Sequence, residues 1–363
     1  MEKITVLVVD DSAFMRKLIS NFLSEDPRLE VIGTARNGED GIKKLLELKP
    51  DVITMDVEMP MLNGLEALKY IMKNYPVPIV MLSSSTTEGA NDTMAAIQHG
   101  AIDFIAKPSG SISLDLHKIK EDLIKKVILA SKVNKKQLIN LSSDRNFTIK
   151  QDDYYSKIDL EKSSNLTRTK VGSHSNKLVC IGTSTGGPRA LQSVLTKLPA
   201  HIDAAILIVQ HMPAGFTKSL ALRLNSLCKI SVKEAEEGEV ISKGTAYIAP
   251  GGYHLKVKQT GNNLVIQLDQ TEARNGHRPA VDVMFESISE VTNYLKVAVI
   301  MTGMGSDGAN GLITLKKTGD VKAIAESQET SIVYGMPKAA AETKLVDEIQ
   351  DVDNIAKTIM KYV

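Results

Sequence analysis

Two groups of residues in this chain have types suited to chemistry. In the first half, Asp10, Asp11, Asp56, Ser83 and Lys107 each stand at the end of a short apolar run. Three carboxylates sharing one crevice repel each other unless a hard cation joins them. Mg2+ suits such oxygen ligands and leaves room for a phosphoryl oxygen. A carboxylate beside it can attack a phosphoryl donor and become an acyl phosphate, whose oxygens a lysine and a hydroxyl can hold. The plainer reading makes Asp10 and Asp56 helix caps at strand ends. In the second half, Ser184 lies in Thr183-Ser-Thr-Gly-Gly-Pro188, directly after an apolar run. Such a strand-to-helix turn exposes a serine hydroxyl, with helix N–H groups near a developing oxyanion. The same turn is also suited to cradling a phosphate. A serine nucleophile needs a base and an acid that orients the base. His211 follows the apolar run 205–209 and Asp307 follows 296–301, so all three fall at one edge of a parallel sheet. Singly, His211 reads as a packing residue and Asp307 as a helix cap; together with Ser184 they favour a Ser-His-Asp site. The order Ser, His, Asp differs from that of α/β-hydrolases.

The elements that must place these groups are visible as alternating patterns. Strand candidates lie at 5–9, 31–35, 52–55, 79–82 and 104–106, with helix candidates at 13–23, 38–48, 64–73, 89–99 and 113–132. Five β-α units of this spacing predict a doubly wound α/β sheet, which gathers ligands at the C-terminal ends of its strands. Residues 134–176 are rich in Asn, Ser, Lys and Asp and cannot bury enough surface to offset ordering, so a flexible linker is expected there. Apolar strands resume at Leu178 and alternate with helices to the end. The expected organisation is a first domain over 1–125, a linker over 126–176 and a second domain over 177–363.

Composition sets the bounds. At roughly 150 residues per domain, 363 residues suit two domains. The chain is 43% hydrophobic and 24% charged, ordinary for a globular protein. A net charge of +1 gives no field favouring nucleic acid or an anionic membrane. The N-terminal apolar run ends at once in Asp10-Asp11, unlike a secretory signal. No apolar stretch approaches the ~20 residues that span a bilayer, so a cytoplasmic protein is expected. Cys180 and Cys228 sit in apolar surroundings and read as buried free thiols. His99, His117, His174, His201, His254 and His277 show no metal-ligand spacing, and no metal is expected in the second half.

The motifs resemble two known domain types. Val8-Val-Asp10-Asp11-Ser12, Met55-Asp56-Val-Glu-Met-Pro60, Asn63-Gly64 and Phe104-Ile-Ala-Lys107-Pro108 resemble the receiver domain of response regulators, over about residues 3–125. The resemblance implies a flavodoxin-like fold with Asp56 as phosphoacceptor. Asp10, Asp11 and Asp56 would hold Mg2+ with a backbone carbonyl of Glu58. Ser83 would be the hydroxyl switch, Lys107 the phosphate contact, Phe104 a mobile aromatic, and Lys107-Pro108 a cis bond. Gly182-Thr-Ser184-Thr-Gly-Gly-Pro188, Val209-Gln-His211-Met-Pro213, Ile248-Ala-Pro-Gly-Gly-Tyr-His254, Arg278-Pro-Ala-Val-Asp282, Met301-Thr-Gly-Met-Gly-Ser-Asp307-Gly308 and Ser331-Ile-Val-Tyr-Gly-Met-Pro-Lys-Ala-Ala340 are similar to the protein-glutamate methylesterase domain of chemotaxis response regulators.

That second resemblance implies a parallel-sheet α/β hydrolytic domain with no cofactor. Ser184 would be the nucleophile, His211 the general base, Asp307 the orienting acid, and the Met304 N–H an oxyanion donor. The implied reaction demethylates glutamyl methyl esters of methyl-accepting chemoreceptors, releasing methanol, and deamidates receptor glutamines. A chemotaxis histidine kinase would be the phosphodonor, and the unphosphorylated receiver would cover the Ser184 cleft. A monomer is expected, with no nucleic acid and no membrane insertion. A DNA-binding output would need a helix-turn-helix and a basic face, and a nucleotide module a Gly-Lys-Ser/Thr ending; neither is present. A non-catalytic scaffold is a third alternative. Two stretches depart from the family pattern: Thr183 stands where a smaller residue is expected, and 322–330 differs from an Ala-Gln-Asp-Glu type run.

Overall fold

The computed structural model describes residues 2–84, 86–107, 115–133, 176–261 and 263–363, with backbone alone for 115–118. The expected linker and Pro108 of the expected cis bond lie outside these residues. Near-continuous apolar runs form the strands of the first unit, since a parallel sheet covered on both faces buries both sides of each strand. They are β1 (Ile4–Val9), β2 (Leu29–Ala35), β3 (Val52–Asp56), β4 (Ile79–Ser83) and β5 (Asp103–Ala106), all parallel in the order β2-β1-β3-β4-β5. Between and after them come α1 (Ala13–Ser24), α2 (Gly38–Leu48), α3 (Gly64–Asn74), α4 (Thr87–Gln98) and α5 (Asp115–Ala130). Polar caps set where the first four helices begin: Ser12, Asn37, Asn63 and Thr86 each accept a first-turn N–H. Thr86 starts α4 two residues earlier than the sequence pattern suggested. α1 and α3 are capped by Ser12 and Asn63, so Asp10 and Asp56 are not their caps. The chain order reverses between β1 and β3, and Asp10 and Asp56 end those two strands, at the switch point where such sheets open a crevice.

The second unit holds β6 (Asn176–Thr183), α6 (Gly187–Leu195), β7 (Ala205–Gln210), α7 (Phe216–Leu227), β8 (Ser231–Glu234), β9 (Thr245–Ile248), β10 (His254–Thr260) and β11 (Asn263–Asp269). It continues with α8 (Val281–Ser289), β12 (Tyr294–Ile300), α9 (Ala309–Lys316), β13 (Val321–Glu326), α10 (Met336–Glu342), β14 (Glu348–Gln350) and α11 (Val352–Tyr362). Seven strands form one parallel sheet, β14-β13-β12-β6-β7-β9-β8. Its direction switches between β6 and β12, which places the loops after them, and the loop after β7, around one crevice. The antiparallel hairpin β10-β11 has no forerunner in the parallel pattern expected of this domain. Alternate residues Leu255, Val257, Leu264 and Ile266 bury its inner face, and Val257 hydrogen-bonds the Ser287 hydroxyl of α8.

The two units touch. Apolar packing is continuous from the first sheet to the second, and Phe104 of β5 stacks on Phe216 of α7 with centroids 4.6 Å apart. The amide of Gln98 at the end of α4 is bonded by Arg223 of α7 and donates to Gln192 of α6. Both cysteines are unbridged; Cys180 is buried as expected, whereas Cys228 at the end of α7 is only half-buried. Among the described residues no helix is long and apolar enough to cross a membrane.

Candidate active site

Ser184 follows β6 in a turn whose shape glycine permits. Gly186 has φ +78°, the left-handed region, and a Cβ there would lie 2.7 Å from Ile332. A Cβ at Gly187 would meet Gln210 Oε1 at 2.0 Å. Ile332 and Gln210 thus stand where a Cβ would lie, so only glycine fits at these two positions. The Thr183 hydroxyl donates to Gln210 Oε1 at 2.6 Å, and Gln210 Nε2 donates to the carbonyls of Ser184 and His211 at 3.0 and 3.2 Å. The larger residue at 183 thus anchors an amide that ties the serine turn to the histidine loop. The backbone N–H of His211 adds a bond to the Thr183 carbonyl at 3.1 Å.

His211 Nε2 and Asp307 Oδ2 are 2.7 Å apart, with both side chains almost fully buried. Pairing with a carboxylate puts the proton on Nε2, so Nδ1 keeps its lone pair. Nδ1 is buried and has no hydrogen-bond partner among the described residues. Asp307 also accepts the N–H groups of Val281 and Asp282 at the start of α8, at 2.7 and 3.0 Å. Burial alone would raise the Asp307 carboxyl, but the His211 bond and charge and these N–H donors hold it below the ordinary value. Asp307 is a helix cap and a histidine partner at once. Its neighbour Asp282, which the sequence reading quoted without a role, does the reverse. Asp282 Oδ1 accepts from Gly308 and Gly311 at the start of α9, and Oδ2 accepts from Asn275 at 3.1 Å. Burial, aided by the charge of Asp307, raises Asp282. The loop after β12 closes on Ser184: a Cβ at Gly303 would stand 2.8 Å from the Ser184 Cβ. The Gly187 N–H is spent on the Ser184 carbonyl at 2.7 Å. The Met304 N–H has no acceptor among the described residues.

In the first unit, ligand oxygens of Asp10, Asp11 and Asp56 lie within 4.8 Å of one another. Lys107 Nζ is 2.6 Å from Asp56 and 3.0 Å from Asp10. Asp10 Oδ2 is buried and lacks an aligned hydrogen bond despite that proximity. Burial pushes the Asp56 carboxyl up to about 6, with Asp10 adding repulsion and Lys107 only partly offsetting it. A pocket so rich in carboxylate oxygen fits a hard divalent cation. The Ser83 hydroxyl is turned elsewhere, donating to the Gly89 carbonyl at 2.9 Å. Glu58 holds the Ser84 hydroxyl at 3.0 Å.

Comparisons with known proteins identify the two units. Residues 179–359 match the family model described as CheB methylesterase, and residues 6–117 match that of the response regulator receiver domain. A protein-glutamate methylesterase/protein-glutamine glutaminase of Geobacillus kaustophilus is 54% identical, covering 100% of this chain and 99% of that relative. The chain belongs to the CheB methylesterase family. A relative with the same description from Bacillus subtilis is 50% identical over 99% of this chain and 98% of its own length. The crystal structure of the Thermotoga maritima CheB methylesterase catalytic domain, 43% identical, covers 52% of this chain and all of that one, with a TM-score of 0.51. Family membership thus rests on both units joined in one chain.

Two features of the site were missed by the sequence reading. Gln210 and Asp282 carry its internal bonds, yet their residue types are common and nothing local marks them. A ring stacked on His211, His277, belongs to a turn more than sixty positions away in sequence; the Asn275-Gly276 pair was the available signal of that turn.

Proposed function

We propose that this chain is a phosphorylation-regulated protein-glutamate methylesterase and protein-glutamine glutaminase acting on methyl-accepting chemoreceptors. The observation that carries the reading is the buried His211–Asp307 pair, whose free Nδ1 lies at the sheet edge bearing the Ser184 turn. Ser184 Oγ attacks the γ-carbonyl of a glutamyl methyl ester while His211 Nδ1 takes its proton. Asp307 holds the imidazolium through Nε2–H, and the Met304 N–H donates to the oxyanion. Collapse of the tetrahedral intermediate expels methanol, which receives the proton from His211. Water then attacks the acyl-serine with the same base, freeing Ser184 and the glutamate. With a glutamine side chain the leaving group is ammonia.

Regulation is read from the contacts between the units. Asp103 of β5 accepts the hydroxyl of Thr185, the residue after the nucleophile, at 2.6 Å, and Phe104 is only 3% exposed against Phe216. These contacts support a receiver that covers the Ser184 turn. A chemotaxis histidine kinase phosphorylates Asp56; the new oxygens draw Ser83 off Gly89, and the α4-β5 face shifts away from α6 and α7. Asp10, Asp11, Asp56 and the Glu58 carbonyl would hold Mg2+, which would supply positive charge for a phosphoryl group approaching Asp56. Lys107 orients and neutralises the added oxygens. The test is methanol release from methylated receptor membranes with acetyl phosphate and Mg2+. Wild type should release methanol, and Ser184→Ala should lose activity by on the order of 10⁶-fold. Equal release by both would refute the serine mechanism.

A further inference from the structure

Beyond Ser184, His211 and Asp307, one side chain is built against the reacting group and has no part in the mechanism above. The ring of His277 lies parallel to that of His211, with centroids 3.8 Å apart and planes 8° apart. The contact comes from a two-residue hairpin turn: Arg274 and His277 exchange backbone hydrogen bonds at 3.0 and 2.9 Å. Asn275 and Gly276 between them have φ +54° and +82°, as the tightest hairpin turns require. The turn is tied down at three places. The Asn275 amide bonds Asp282, Arg274 pairs with Glu286 of α8 at 3.0 Å, and Arg278 holds the carbonyls of Gln270 and Thr271.

His211 needs such a partner. Among the described residues its ring has a single hydrogen bond, at the Nε2 edge, and Nδ1 is unpartnered. One bond at the Nε2 edge leaves the tilt of the ring about that bond to be set by what packs on its faces. A parallel ring on its face fixes that tilt. We propose that His277 is a positioning residue for the general base, clamping the His211 ring against Asp307 so that Nδ1 faces Ser184, and lending a π face to the imidazolium. The assignment rests on the serine-esterase reading above. His211 is stacked on His277, and the charges that act on it besides are those of Asp307 and of Lys125 and Lys126 of α5. Burial, then the charges of His211 and the two lysines, push it down to about 4 against the pull of Asp307. A neutral aromatic face attracts a cation, whereas a second imidazolium would repel it.

The full-length chain, activated with acetyl phosphate and Mg2+, separates the possibilities through His277→Phe and His277→Leu. Phe keeps a ring on the His211 face; Leu fills the space without one. His277→Phe should retain kcat within about 2-fold, while His277→Leu loses roughly 3- to 10-fold in kcat with KM unchanged. The acid limb of kcat against pH should move down by roughly half a unit in Leu alone. Thermal melts establish that both variants fold. Titrating His211 by its ring-proton resonances reads the same contact without substrate: it should move in Leu and stay in Phe. If Leu and Phe match each other in rate and in His211 titration, the clamp is refuted and His277 merely fills space. Absence of methanol release from wild type would sink the esterase reading itself, while the His211 titration still decides the clamp.

Discussion

Glu326 ends β13 and is 1% exposed, its carboxyl bonded to the loop that closes on Ser184. Its Oε2 accepts the Thr302 N–H at 2.7 Å and its Oε1 the Thr330 hydroxyl at 3.0 Å. Burial, with Asp351 nearby, pushes it up to about 7 from 4.5 despite those bonds. The folded state therefore keeps a proton that the unfolded chain releases. Stability falls as pH rises from about 4.5 through about 7 and stays reduced above. An amide at this position has no charge to bury. Glu326→Gln is expected to melt higher than wild type at pH 8, by on the order of 1–3 kcal/mol, with the gap closing toward pH 5. Melts of both chains at the two pH values check this, and a gap independent of pH would overturn it. The departure of 322–330 from the family pattern was readable in the sequence. Its consequence was not, because the burial of Glu326 depends on strands and loops remote from it.

At the scale of elements, the second site is held by two helices that cap each other. Asp307, from the loop before α9, takes the first N–H groups of α8; Asp282, in the first turn of α8, takes those of α9. Helix starts leave N–H groups without intrahelical partners, and a carboxylate there also meets the favourable end of the helix dipole. This reciprocal arrangement fixes Asp307, and through it His211. Asp282→Ala leaves two buried N–H groups at the start of α9 and the Asn275 amide unpaired, at a cost of about 1–3 kcal/mol for each buried N–H. Because Asp307 then shifts, kcat should fall by on the order of 10²-fold. A melt and a rate on the same preparation check the pair; lost stability with an unchanged rate would show that α8 does not position the acid.

At the scale of the whole molecule, the receiver reaches the Ser184 turn through β5, at Thr185. Asp103 touches Thr185, Phe104 stacks on Phe216, and Lys126 Nζ ties the two together by bonding the Phe104 carbonyl at 2.7 Å and lying 3.3 Å from Asp103. A stacked aromatic pair contributes about 0.5–1.5 kcal/mol beyond its burial. Phe104→Ala should therefore raise basal methanol release without phosphodonor by roughly 2- to 10-fold and narrow the further gain on phosphorylation. An unchanged basal rate in a folded variant would show that this stack does not restrain the catalytic unit.

What the sequence by itself determined is the set of features encoded by neighbours. Alternating apolar runs and glycine turns place two parallel sheets and put Asp10, Asp56, Ser184 and His211 at strand ends, with Asp307 in the loop that follows β12. The tertiary structure decided what those ends meet. That Nε2 of His211, rather than Nδ1, faces Asp307 joins positions 96 apart. Asp103 reaches Thr185 across 82 positions, and the His211–His277 stack follows from a hairpin turn folding back over the sheet edge. Such contacts arise from packing between distant segments, and no local periodicity, propensity or spacing in the chain specifies them.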